Sequence, residues 1–163
     1  NKESGIKNLK DLRNGTIQIL GRKEGQTPSI WLDKLLRDNK LPVKEKFFKE
    51  ISYDNKPTNV VLPVFFNKIS AAIVSKPTFE LLSVLNPQIK KQANFLMESK
   101  TLIFGTLCFD PRNKDKEREK FVYETLTTMH NDVDGKQFLD LFNVDKIIPY
   151  KEEHWEEFLK LYE

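Results

Sequence analysis

Cysteine is nearly absent from this sequence: Cys108 stands alone among 163 residues. A single cysteine rules out an internal disulfide framework and any Cys-x-x-Cys redox or zinc pair. It lies in the apolar run Leu102-Ile103-Phe104-Gly105-Thr106-Leu107-Cys108-Phe109, a setting that predicts a buried, inert thiol rather than a nucleophile. No apolar run approaches the ~20 residues a membrane-spanning helix needs. No basic-then-apolar leader opens the chain, and Asn1 reads as the start of a processed or trimmed one. An excess of one charge is lacking too, with 27 Lys+Arg against 24 Asp+Glu. Nucleic-acid binders gather positive charge on one face, whereas Lys and Glu alternate here, so no nucleic-acid partner is expected. Even the densest block, Arg112-Asn113-Lys114-Asp115-Lys116-Glu117-Arg118-Glu119-Lys120, mixes both signs and reads as a solvated helix start.

Catalytic signatures are equally sparse. The chain has no glycine-rich phosphate loop ending in Lys-Ser/Thr and no Gly-x-Ser-x-Gly. His130 and His154 fall near the ends of late helices, beside no nucleophile. The stretch from His130 to Gly135 has some calcium-loop character, but it lacks the first acid and places Leu141 where a bidentate glutamate is required. Glu152, Glu153, Glu156 and Glu157 flank Trp155 as the solvent face of an amphipathic helix. With no acid, base and nucleophile together, the sequence is read as non-enzymatic and without a cofactor.

What is present is 39% hydrophobic and 11% aromatic, enough to build a core and to exclude the disordered class. Leu9 to Leu12 forms a helical turn, Asn14-Gly15 punctuates it, and Thr16 to Leu20 alternates like a strand. Thr27 as N-cap and Pro28 at the first helical position open a helix whose apolar face runs through Ile30, Trp31, Leu32, Leu35 and Leu36 to about Asp38. Phe47 to Tyr53 is a second strand. Val60 to Phe66 reads as a short helix with an awkward Pro63, its β-branched run also suiting a strand, and Ile69 to Val74 is a third strand. Lys76-Pro77-Thr78 opens a helix that Asn86-Pro87 stops. Ala93 to Met97 and Leu102 to Phe109 read as further strands, followed by a long helix from Pro111, a turn at Asp134-Gly135, a short helix through Phe142, and a helical end at Trp155 to Tyr162. Strands alternating with helices predict an α/β fold with a mostly parallel sheet.

In such a sheet ligands bind at the carboxyl ends of strands, where helices begin. Three polar segments occupy those positions: Gln26-Thr27-Pro28-Ser29, Asn55-Lys56-Pro57-Thr58 and Ser75-Lys76-Pro77-Thr78. Free N–H groups and the positive dipole end of each helix favour an anion. Plain N-capping by Thr27, Thr58 and Thr78 is the alternative for any one of them. The candidate ligand set is Gln26, Thr27, Ser29, Lys56, Thr58, Ser75 and Lys76.

The order of these segments resembles the phosphate/phosphonate-binding proteins of ABC transporters, within the type II periplasmic-binding fold. Ser4-Gly5-Ile6-Lys7-Asn8-Leu9-Lys10-Asp11-Leu12 resembles the family's segment after its first crossover between lobes. At the Gln26 helix start the family carries Ser-Thr-Ser-Gly; here Thr27 matches and Gln26 replaces the first serine. Phe66-Asn67-Lys68-Ile69-Ser70-Ala71-Ala72-Ile73 resembles its Asn-Gly-Lys-Val-Asp-Ala-Ala strand, with Ser70 in place of aspartate. Thr106 to Asp110 resembles the strand returning to the first lobe, and Ile147-Ile148-Pro149 its Phe-Val-Pro stretch.

The chain also departs from the family. A Ser-His pair becomes Lys56-Pro57, and a pocket tyrosine and acid fall near Ser75 and Pro77. Loss of that acid argues against an aminoalkyl phosphonate, while Lys56 and Lys76 keep the site suited to an oxyanion. The resemblance implies a binding lobe at residues 1–105, with 106–163 forming the returning strand and C-terminal helices of a first lobe otherwise lacking. Association through that incomplete lobe is expected. It also implies a small oxyanion as ligand, an ABC permease as partner, and a periplasmic or extracellular location with lipoprotein anchoring. The same fold used as an extracellular sensor coupled to a kinase, or as a surface interaction module, is the alternative.

Overall fold

The computed structural model describes residues 1–22, 26–103, 105–142 and 144–163. The chain forms two compact units, Asn1–Lys100 with Leu159–Glu163, and Thr101–Phe158.

The first unit is built around β1 (Thr16–Leu20), whose alternation buries Ile17 and Ile19 on one face. β2 (Glu50–Asp54) and β3 (Ala71–Ile73) flank it in a parallel sheet of order β2-β1-β3. The register pairs Ile17 with Ile51 and Ala71, and Ile19 with Tyr53 and Ile73, so one face carries a continuous apolar row. Leu32 and Leu36 of α1 (Thr27–Asp38), one turn apart, cover that row together with Leu9, Leu12, Phe47 and Phe48. Burial of each leucine contributes roughly 1.5–3 kcal/mol.

β2 begins later than the Phe47 to Tyr53 span expected from sequence. Phe47 instead closes the short helix α2 (Lys44–Phe47), because its fully buried ring packs edge-on against Phe48 at 4.9 Å. β3 is likewise shorter than the predicted Ile69 to Val74: Lys68 and Ile69 N–H groups close onto the Pro63 carbonyl, and Ser75 already caps the next helix.

α3 (Pro57–Phe65) tolerates Pro63, which leaves the Asn59 carbonyl without its helical donor. Val61 joins Phe79 and Leu82 of α4 (Lys76–Leu85) and Ile89 of α5 (Pro87–Gln92) in a second core. The predicted strand Ala93 to Met97 is absent. Its apolar residues serve as packing pegs, Phe95 edge-on to Phe79 at 4.7 Å and Leu96 against the first core, with no ladder partner. Leu161 is buried, and its carbonyl accepts from Arg37 Nη2 at 3.4 Å.

In the second unit no described residue of Leu102 to Phe109 is in a strand; Phe104 lies outside the described residues. Leu107 and Phe109 are exposed, and so is Cys108, contrary to the buried thiol expected from its neighbours. α6 (Lys116–Thr128) starts after Pro111 rather than at it, because Asp115 caps it by accepting the Arg118 N–H at 2.9 Å. Gly135 is helical rather than a turn. The chain reverses through a 3-10 turn at Met129–Asn131, and Asp132 caps α7 (Val133–Leu141) by accepting the Gly135 N–H. A 3-10 turn, Glu152–Trp155, leads to the single-turn α8 (Glu156–Leu159), shorter than the predicted terminal helix.

Candidate anion-binding site

All strands of the parallel sheet end on one edge, at Leu20, Asp54 and Ile73, and α1, α3 and α4 open from that edge. β1 feeds α1 towards β2, whereas β2 feeds α3 across to β3 on the other side. The reversal lies between β1 and β3, the place where open α/β sheets leave a crevice. Gln26 and Thr27 stand on one side of it and Ser75 and Lys76 on the other; Lys56 and Thr58 follow β2, beyond β1.

The N-cap of α1 is Gln26, not Thr27, which occupies the first helical position with Pro28 second. Gln26 makes no side-chain bond to the helix; its Oε1 turns back to accept the Arg22 N–H at 2.8 Å. The N–H groups of Ser29 and Ile30 close onto the Gln26 carbonyl at 3.0 and 3.2 Å, and Pro28 has none. Among the described residues no acceptor meets the Thr27 N–H at this helix start. Ser29 points elsewhere: it is 3% exposed, and its Oγ accepts from Lys44 Nζ at 2.8 Å.

Lys56, rather than Thr58, is the N-cap of α3. Asp54, at the end of β2, accepts the Lys56 N–H at 2.7 Å and the Asn59 amide at 2.9 Å. These bonds, the Lys56 N–H first, hold the Asp54 carboxyl below the usual range. A carboxylate of the chain itself therefore occupies this helix end. The charge of Lys56 also helps to lower the Asp54 pKa, after the two hydrogen bonds. Thr58 is exposed, and with Asn59, Leu62, Pro63, Phe66 and Lys68 it lines a concavity of about 360 Å³ along α3.

At α4 the cap is Ser75, not Thr78: Ser75 Oγ accepts the Thr78 N–H at 3.3 Å and shares a 2.8 Å bond with the Thr78 hydroxyl. Lys76 Nζ lies 2.9 Å from Glu98 Oε1, and that hydrogen bond raises its pKa. Both partners are more than 60% exposed, so solvent screens the pair and it opens easily.

Asp54, Glu98 and Lys44 shape these helix starts and were not among the sequence candidates. Asp54 carried a readable signal, an Asx residue two positions before an N–H and three before a helix-opening proline. Glu98 and Lys44 carried none, since their partners are distant in sequence. Among the described residues no cluster of His, Cys, Asp or Glu could hold a metal ion.

Against known protein families, residues 1–155 match the model described as ABC transporter, phosphonate, periplasmic substrate-binding protein. No curated protein matches the chain.

Proposed function

Because the chain belongs to the periplasmic phosphonate substrate-binding proteins of ABC transporters, we propose that its strand-end edge captures a small oxyanion, such as phosphate, phosphite or a phosphonate, for handover to a membrane permease. The observation that carries this reading is the start of α1, where Gln26 makes no side-chain cap and no described acceptor meets the Thr27 N–H, beside the β1/β3 reversal. A helix N-terminus favours negative charge, and Lys56 and Lys76 add cations at the same edge. Asp54 and Glu98 offset part of that charge. Selectivity then rests on N–H and hydroxyl donors, namely Thr27, Thr58 and Ser75, more than on one ion pair. The family is one of binding proteins, not enzymes, and the residues at this edge fit capture without chemistry. In this reading residues 1–105 form the ligand lobe and residues 106–163 derive from the other lobe, with Leu159–Glu163 packed in the first unit. The location is periplasmic or extracellular; no helix among the described residues is long and apolar enough to cross a membrane.

Thermal-shift and calorimetric titration with phosphate, phosphite, methylphosphonate and sulfate test it, using wild type and Thr27→Pro. Proline is accepted at the first helical position, and Gln26 already has the extended backbone that precedes one (φ −98°, ψ 142°). The substitution removes the N–H and hydroxyl while leaving the helix. A melting-temperature rise with a phosphorus oxyanion, abolished in Thr27→Pro, is expected. A rise that survives the substitution places the ligand elsewhere, and no rise with any anion overturns the reading.

A second reading, a sensor or surface module without transport, draws support from the internal carboxylates already set at α3 and Lys76. An ABC permease encoded beside the chain supports transport; a membrane span and kinase following it in the same gene support sensing.

A further inference from the structure

α1 has an unusual start. It lacks a side-chain cap, and its second residue is a proline that donates nothing. Such an end frays unless another element holds it. The holding group comes from α2. Lys44 Nζ donates to Ser29 Oγ at 2.8 Å and to Asp33 Oδ2 at 2.7 Å. Ser29 and Asp33 are four apart, stacked on one side of the helix, so a single ammonium ties the first turn of α1 to the second. The Lys44 and Ser29 end of the clamp is shielded, at 15% and 3% exposed, whereas the Asp33 side chain is 44% exposed. Its far end is fixed as well, because α2 ends at Phe47, fully buried in the first core.

We propose that Lys44 is a positioning residue for the oxyanion site, fixing the first turn of α1 and thereby aiming the Thr27 N–H. This rests on the binding reading above and extends it to a residue and a role that sequence did not suggest. It also reassigns Ser29 from a ligand contact to the acceptor through which Lys44 acts. A direct electrostatic role for Lys44 is disfavoured by Asp33, whose carboxylate lies against the ammonium and cancels most of its field at a distance.

The test is calorimetric titration of inorganic phosphate and methylphosphonate into wild type, Lys44→Met, Ser29→Ala, the double variant and Asp33→Asn, well below each melting temperature. Lys44→Met and Ser29→Ala should each weaken binding by roughly three- to tenfold, and the double variant should be no weaker than either, because both break one clamp. Asp33→Asn retains an acceptor oxygen, and its affinity should stay within about twofold of wild type. Loss of stability alone would lower the melting temperature without moving the affinity of the folded protein. If Lys44→Met fails to fold, Ser29→Ala with Asp33→Asn still decides the matter. Additive losses from Ser29→Ala and Lys44→Met would make Ser29 a separate contact and overturn the clamp. Tighter binding in Asp33→Asn would replace positioning by a field effect. Unchanged affinity in Lys44→Met removes this proposal alone, whereas a wild type that binds neither probe removes it together with the binding reading.

Discussion

Gln26 Oε1 lies over Gly21, in the space that a Cβ on residue 21 would occupy, while it accepts the Arg22 N–H at 2.8 Å. Gly21 itself has a φ of 123° and donates its N–H to the Asp54 carbonyl at 2.9 Å. The turn out of β1 is thereby joined to the end of β2 and to the cap of α1 at once. Residue 21 must accept a backbone conformation that side chains rarely adopt.

Gly21→Ala is therefore expected to destabilise the first unit by about 1–3 kcal/mol, through backbone strain and expulsion of the Gln26 amide. Denaturant unfolding measures it. A Gly21→Ala/Gln26→Ala double variant should recover the steric part and keep the strain. A single variant as stable as wild type would show that the turn relaxes freely.

Glu98→Gln releases Lys76 from its nearest carboxylate. The pair is exposed and screened by solvent, so stability should hardly change. Oxyanion affinity should rise, since Lys76 becomes available to the edge, and the gain should shrink with added salt. Titrations at low and high ionic strength read both effects. An affinity that is unchanged at low salt would separate Lys76 from the site.

The legible parts of this fold were those written in local chemistry. Thr16 to Leu20 alternates because one face is buried, and Pro28, Pro57 and Pro77 mark helix starts because proline fits the first turn. Strand lengths were less legible, since a strand ends where its partner does. β3 pairs with β1 over only Ala71–Ile73, and Ala93 to Met97 meets no ladder at all. Apolar composition also failed at Cys108, where the surrounding hydrophobic residues are themselves exposed.

The site divides in the same way. Lys56 and Lys76 were readable as cations at helix starts, but the state of each charge was not. Lys76 meets Glu98 across 22 positions, and Ser29 meets Lys44 across 15, pairings that only the packing of elements creates. Thr27 and Thr58 were expected as caps, yet the caps are Gln26 and Lys56. α1 thus begins one residue earlier than expected and α3 two, Pro57 drawing Lys56 before it into extended backbone.

Gly135 sets the packing of the second unit. A Cβ there would meet the Met129 carbonyl oxygen, a backbone atom that cannot rotate away, and the Gly135 N–H already serves the Asp132 cap at 2.8 Å. Gly135→Ala should force the 3-10 turn off α7 and destabilise this unit by roughly 1–3 kcal/mol, despite the better helix propensity of alanine. Hydrogen exchange in α6 and α7 resolves it. Slower exchange in the variant would mean that propensity outweighs the clash.

Asp54 couples the site to pH. Its folded pKa is depressed below the ordinary 3.8 by the Lys56 N–H and then the Asn59 amide. A depressed carboxylate contributes stability that is present above its unfolded pKa and is lost as pH falls through the folded value. Asp11 and Asp110 are depressed likewise, by the Lys7 N–H and by the Arg112 side chain respectively, so acid lability has several contributors. Asp54→Asn keeps an acceptor for the Lys56 N–H but removes the titration. Its melting temperature should therefore fall less steeply than that of wild type on acidification below about pH 4. At neutral pH the same variant should bind phosphate more tightly, because a like charge leaves the edge beside Lys56. Parallel melting curves across the acid range would detach Asp54 from stability. Unchanged phosphate affinity alongside a flattened acid limb would confine its role to capping α3.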